Sequence, residues 1–182
     1  MLTLKENLIF LDKQKQNRGE RMKGIVIYDT SFGNTQKIAE TIAATLNASG
    51  IETDVFDIKS VKKLSGKDYD FLALGSPTRY GTMSFAVKFF LGKIKSEEWM
   101  NKPFIAFDTE NPENIEKSHA ENKNWSAAEK IAEKLKEKKM DQLLPVLKAL
   151  VQSSGLKGPL VEGEIERTKS YAKEIAAKLK EA

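Results

Sequence analysis

Apolar residues along this chain recur in two rhythms. Four short runs, Gly24–Tyr28 (GIVIY), Thr53–Ile58 (TDVFDI), Asp70–Ser76 (DFLALGS) and Pro103–Phe107 (PFIAF), are bounded by polar turns and predict β-strands. The first, third and fourth are nearly continuous Val, Ile, Leu, Phe and Ala, the pattern of strands covered on both faces. The second alternates polar and apolar, which suits a sheet edge.

Between and after the runs the rhythm becomes helical. In Gln36–Ser49, Ile38, Ala39, Ile42, Ala43 and Leu46 share one helix face, and Gly50 ends the segment. Phe85–Ile94 carries Ala86, Phe89, Phe90 and Ile94 behind Ser84 as N-cap. Ser126–Lys138 and Glu164–Lys180 repeat the stripe, through Ile131 and Leu135 in one and Ala172, Ile175 and Leu179 in the other. Strand and helix alternate, so the fold class is α/β with a parallel sheet. A fifth strand is expected within Leu143–Gln152, bent or broken at Pro145, with a short helix there as the rival. Residues 1–22 show no period and are expected to be an N-terminal extension, loose or packed as a helical arm. Met22 is an expected natural start, and residues 23–182 form one domain.

Composition narrows the function more than the fold. The 182 residues are 40% hydrophobic and 31% charged, with a formal net charge of +4. Residues 1–22 and the remainder each contribute +2, with no arginine-rich arm or aromatic-basic stripe of the kind that tracks nucleic acid. No apolar run approaches the ~18 residues of a membrane span, so no membrane insertion is expected. The absence of cysteine removes disulfides, thiolate metal sites and cysteine catalysis, and fits a cytoplasmic location.

Parallel sheets bind ligands beyond the carboxyl ends of their strands. The turns after strands one, three and four read DTSFGNT (Asp29–Thr35), SPTRYGTMS (Ser76–Ser84) and DTENPEN (Asp108–Asn114). The first opens a helix, where unpaired N–H groups and the dipole attract anions. Thr30, Ser31 and Thr35 add hydroxyl donors, and Gly33 allows close backbone approach. Neither GxxxxGK[ST] nor GxGxxG occurs, so the triphosphate and dinucleotide fingerprints are unsatisfied, and a lysine-free pocket suits a monophosphate. A plain polar turn built of good helix caps is the alternative reading. The second turn adds Tyr80 beside Gly81, a stacking surface for a flat ligand.

These stretches resemble the flavodoxin family. IVIYDTSFGNTQKIAETIA is similar to that family's opening strand, phosphate loop and first helix, and ALGSPTRYGTMSFAVKFFL to its second flavin loop. The second resemblance is strongest to the flavodoxin-like NAD(P)H:quinone oxidoreductases. GLKGPLVEGEIERTKSYAKEIA resembles the last loop and helix of small flavodoxin-domain proteins. The resemblance implies a flavodoxin-like three-layer sandwich, with a five-stranded parallel sheet of order 2-1-3-4-5 and helices on both faces. It implies non-covalent FMN at the junction of strands one and three, flavodoxin being a standing example of that switch-point rule. Carried onto this chain, it makes Thr30, Ser31, Phe32, Gly33, Asn34 and Thr35 the phosphate loop. Phe32 stands where a third hydroxyl residue is common, and serves through its backbone N–H. Ser76, Pro77, Thr78, Arg79, Tyr80 and Gly81 would edge the isoalloxazine, with Asp108 and Thr109 approaching from the third turn.

The third turn departs from the family, with no glycine and no aromatic before Trp125, so its side of the flavin is either closed differently or open to a substrate. His119, the only histidine, lies in it as a solvated residue or a proton donor. Trp99 and Trp125 are expected to pack on helix ends. Arg79, by its charge, would favour reduced flavin unless it serves a surface ion pair.

Three functions follow. An electron carrier would pass electrons on FMN to a redox partner protein, with no catalytic side chain of its own. A quinone reductase would move electrons from NAD(P)H to a small quinone-like acceptor, normally as a homo-oligomer. A flavin-free module would keep only the fold. A response regulator is excluded because strand three ends in Ser76, where a phosphoacceptor aspartate would stand, and a tyrosine phosphatase because there is no cysteine.

Overall fold

The computed structural model describes residues 22–121, 123–152 and 157–181. The expected extension therefore lies almost wholly outside the described residues. In chain order the strands and α-helices begin with β1 (Lys23–Tyr28), α1 (Asn34–Ala48), β2 (Glu52–Asp57), β3 (Phe71–Pro77) and α2 (Phe85–Lys93). They are followed by α3 (Ser96–Trp99), β4 (Pro103–Glu110), α4 (Pro112–Glu121), α5 (Ala127–Glu137), β5 (Asp141–Gln142), β6 (Leu147–Leu150) and α6 (Glu164–Glu181). The main strand order is β2-β1-β3-β4-β5, with β6 also paired to β4 and every named pairing parallel.

The continuous apolar strands lie at the centre of this order. Every residue of β3 is buried, whereas β2, at the edge, is only partly so. Alternate side chains fill two cores, because successive Cβ atoms point to opposite faces. On one face Val26, Phe71, Ala73, Ile105 and Phe107 meet α1 and α6 through Ile38, Ile42, Ile175 and Leu179. On the other, Ile25, Ile27, Leu72, Leu74 and Phe104 meet α2, α3 and α5 through Val87, Leu91, Trp99 and Ile131. Trp99 is 1% exposed, a core residue of α3.

One sequence expectation holds and two are corrected. The expected fifth strand lies within Leu143–Gln152 as β6 and is broken at Pro145, with the two-residue piece β5 ahead of the break and no helix there. Gln142 pairs with Phe104 and Leu147 with Phe107, so five steps of chain cover three of β4, and the surplus is taken up around Pro145, which has no N–H to donate. The polar stretch after Asn111 is a helix, α4, and not a loop. Its composition hid it: Ile115 is its one large apolar residue, although Pro112 at the first position and Glu113 beside it are the usual signs of a helix start. Finally, β4 runs on to Glu110, so Asp108 and Thr109 are strand residues and do not begin a turn.

Candidate functional site

Hydroxyl-bearing residues of the first turn sit directly above the sheet. Asp29 N donates to Gly75 O (3.1 Å), keeping the chain against β3 until it leaves the strand. Gly33, at φ 83°, makes the left-handed bend into α1, a conformation that costs a side-chain-bearing residue roughly 1–2 kcal/mol. Thr30 Oγ1 accepts from Gly33 N (2.9 Å), and its own hydroxyl proton has no acceptor among the described residues. Ser31 is exposed and Thr35 buried.

The helix start itself differs from its neighbours. Ser84 caps α2 by accepting from Val87 N (3.3 Å), and Ser126 caps α5 by accepting from Glu129 N (3.3 Å). Among the described residues the positive end of α1 carries no side-chain cap at Gly33.

Other elements converge on this turn. Asn34 Nδ2 donates to Gly158 O (2.7 Å), and Thr35 Oγ1 lies 2.8 Å from Thr109 Oγ1 across the sheet end. The Phe32 ring, 44% exposed, is approached by Arg79 Cζ at 5.6 Å and Lys157 Nζ at 5.7 Å. Two cations from separate loops thus stand over the Phe32 ring, and through Arg79 the second turn reaches the first.

The second turn is a two-residue hairpin. Arg79 and Thr82 exchange both backbone hydrogen bonds (2.9 and 3.0 Å), with Tyr80 and Gly81 between them at φ 49° and 68°. Positive φ at both central positions is what a tight hairpin of this length requires. It presents Tyr80 outward, 96% exposed. Gly81 is buried against Trp125, whose ring Cε3 lies 2.4 Å from where a Cβ would stand. Trp125 Nε1 donates to Glu121 Oε2 (3.2 Å), so the tryptophan links α4 to the hairpin.

Not every residue anticipated at the ring edge offers its side chain there. Ser76 Oγ donates to Pro77 O (3.0 Å) and accepts from Ser84 N (2.9 Å), closing the base of the hairpin segment. Asp108 is fully buried, and its Oδ2 accepts from Thr78 Oγ1 (2.8 Å), Ser126 Oγ (2.7 Å) and Ala128 N (3.0 Å). Thr78 Oγ1 also accepts from Ala127 N (2.8 Å). These three side chains knit β3, β4 and the start of α5 together, whereas Thr30, Ser31, Phe32, Gly33, Asn34, Thr35, Arg79 and Thr109 gather round the first turn. The side chain of His119 lies outside the described residues.

Three residues near the site escaped sequence reasoning. Lys157 and Trp125 reach it through long-range contacts that no local pattern encodes. Glu110, 1% exposed with Oε1 unpartnered among the described residues, was signalled only as an acid ending a buried strand. Burial foremost, then the charge of Asp108, pushes its carboxyl up to about 8, with Glu129 adding and Lys148 opposing. Burial also raises Asp108 above the usual carboxylate range, against the three hydrogen bonds it accepts. Among the described residues no group of three or more His, Asp or Glu is placed to hold a metal ion, and no helix is long and apolar enough to cross a membrane.

The strand order and the meeting of these turns where it reverses define a doubly wound α/β protein, of the class that takes its ligand at the switch point. The family model "Flavodoxin domain" matches residues 25–144, well over half the chain, and the chain belongs to the flavodoxin family. It is 38% identical over 80 residues to a flavodoxin of Aquifex aeolicus, covering 42% of each chain. It is 31% identical over 72 residues to the protoporphyrinogen IX dehydrogenase [quinone] of Escherichia coli, covering 40% of each. The aligned part thus spans about two fifths of the length of these curated relatives. Among solved structures, a flavodoxin from the domain Archaea superposes with a TM-score of 0.70 at 26% identity, covering 87% of this chain and 99% of that one.

Flavodoxins bind FMN, and FMN is the cofactor of this chain. The residues present fit it. The uncapped α1 end, its hydroxyls and the nearby cations suit a phosphate monoester, and the exposed Tyr80 beside backbone N–H groups suits a flat heteroaromatic ring.

Proposed function

We propose that this protein carries electrons between redox proteins on FMN held across the first and second turns. In this reading Thr30, Ser31, Gly33, Asn34 and Thr35, with the backbone of Phe32, hold the phosphate, and Arg79 and Lys157 add positive charge beside it. Pro77, Thr78, Arg79, Tyr80 and Gly81 edge the ring, chiefly through backbone and Tyr80, while Ser76 and Asp108 hold the turns in place and Thr109 orients Thr35. The flavin supplies the redox chemistry, and the polypeptide supplies orientation, desolvation and field. The reading puts the chain in the cytoplasm.

The observation that carries this assignment is the α1 terminus, without a side-chain cap, reached at Phe32 by Arg79 of the Arg79–Thr82 hairpin. It is tested by loading the purified protein with FMN and titrating its visible spectrum against reference dyes. Two well-separated one-electron reductions support the carrier. Failure to retain FMN at micromolar protein overturns it.

A second reading, an NAD(P)H-dependent quinone reductase, is favoured by one feature. α4 draws the chain after β4 into a helix, leaving the 96%-exposed Tyr80 open to a small acceptor. The likeness to a relative named as a quinone-linked dehydrogenase agrees with it. Rapid NAD(P)H-dependent quinone turnover, with no separated one-electron steps, would select this reading over the carrier.

A further inference from the structure

A groove of about 580 Å³ runs between α2 and the segment joining β2 to β3, lined by none of the residues of the turns described above. Its floor is apolar, with Ile58, Leu64, Phe90 and Trp99 contributing, and its rim carries Lys59, Lys62, Lys63, Lys67, Lys93 and Lys95. The lining includes one acid, Glu98, and that carboxylate is already engaged. It accepts from Gly66 N (2.9 Å) and Ser65 Oγ (3.1 Å) and lies 3.6 Å from Lys95. Lys59 stands 3.7 Å from Asp29 of the first turn. The remaining four lysines make no ion pair among the described residues. Six lysines on one rim, in a chain of net charge +4, are a local concentration of charge that the FMN site does not use.

Beside the rim stands an aromatic ridge. Phe85 and Phe89, 86% and 63% exposed, are one helical turn apart on α2, and Lys93 Nζ lies 4.2 Å above the Phe89 ring. Tyr80, in the hairpin of the candidate flavin site, continues the run of exposed aromatics along the chain from the site towards the groove. Large aromatics left in water beside unpaired cations have the composition of an interface centre and rim.

Resting on the electron-carrier reading, we propose that this groove and ridge dock an acidic redox protein, its carboxylates meeting the lysine rim and its apolar centre covering Phe85 and Phe89. The ridge decides between occupants. A small anion would fill the groove and leave the two phenylalanines in water, and a flat lipid surface would not reach the groove floor. All six rim cations are lysine, with none of the planar forks that read nucleic-acid phosphates bidentately. Hydrated point charges suit a short-lived, electrostatically steered encounter, which is what electron exchange requires.

The test uses two forms of one haem protein, native cytochrome c, which is basic, and succinylated cytochrome c, which is acidic. Binding is measured by calorimetry with FMN-free and FMN-loaded protein. The succinylated form should bind both, at least ~10-fold more tightly than the native form in dilute buffer, and lose most of that preference at about 0.5 M NaCl. The surface variant Lys62→Glu/Lys63→Glu/Lys93→Glu should abolish the preference while FMN affinity stays unchanged, and Phe85→Ala/Phe89→Ala should weaken binding at all salt concentrations. Equal binding of the two cytochromes, an unaltered preference in the charge-reversal variant, or tighter binding of single-stranded DNA or anionic vesicles would overturn the docking surface. Because FMN-free protein is included, failure of the flavin assignment remains distinguishable: binding would persist while FMN is not retained.

Discussion

Glu110 should govern how the protein's stability answers to pH. The carboxylate is 1% exposed at the end of β4, and burial with the neighbouring Asp108 raises it from 4.5 to about 8. Below 4.5 the folded and unfolded chains both hold this proton, and the group adds no pH dependence. Between 4.5 and about 8 the folded chain keeps a proton that the unfolded chain releases. The folded state then binds more protons, so stability falls as pH rises, by about 1.4 kcal/mol per pH unit for one group. Across the whole interval that is about 5 kcal/mol, a large share of the roughly 5–15 kcal/mol that holds a typical domain together. Asp108, which burial also raises, adds a loss of the same sign, so the difference between wild type and a Glu110 variant is what isolates this group.

Glu110→Gln keeps the shape and removes the titration. The new amide lacks ready partners, which costs about 1–2 kcal/mol at every pH. The variant should therefore be slightly less stable than the wild type at pH 5, and more stable by about 3 kcal/mol at pH 9. Urea denaturation followed by far-ultraviolet circular dichroism from pH 5 to 9, without FMN and with saturating FMN, measures this directly. Glu129→Gln, at a half-exposed position on α5, serves as a control that should shift the curve far less. Parallel stability curves for wild type and Glu110→Gln would refute the reasoning, because they would mean that the carboxyl is hydrated or paired and titrates normally.

The remaining predictions concern the site. Ser31→Ala/Thr35→Ala should weaken FMN binding at least ~10-fold in a fluorescence-quenching titration, since two hydroxyl donors leave the phosphate loop; unchanged affinity would remove that assignment. Gly81→Ala should cost about 2–4 kcal/mol, combining left-handed strain with the Trp125 ring in the way, and less in a Trp125→Ala background, both measured by urea denaturation. Arg79→Gln should lower the flavin's midpoint potential in a dye-equilibrated titration, because a cation beside the ring favours the more negative, reduced cofactor.

How much could be read from the chain depended on how local the determining physics was. The buried strands declared themselves because both faces of each are covered, so their runs need no partner to be recognised. The hydroxyls and glycine of the first turn were equally visible, because a helix start acts through its own few residues. α4 was missed because a helix lying on the surface with Ile115 as its one large apolar residue has no stripe to detect. The end of β4 was missed for a related reason: the apolar run stops at Phe107, but strand pairing continues for three polar residues that face helix termini and hydroxyls. Asn34 and Gly158 are 124 positions apart, and the cations flanking Phe32 come from separate loops, so their convergence is a property of the assembled fold.

Asp108 explains how the second turn is held from behind. The sequence places it at the start of a ring-edge turn, yet its Oδ2 accepts from Thr78, Ser126 and the α5 backbone, and Thr78 Oγ1 accepts from Ala127 N. Each bond ties the strand end carrying the hairpin to the start of α5. The residue just before that start is Trp125, whose ring lies on Gly81. One buried carboxylate therefore fixes the helix, the helix fixes the tryptophan, and the tryptophan supports the hairpin from behind. The outer face of the hairpin leaves Tyr80 exposed, the side on which the proposed flavin would lie.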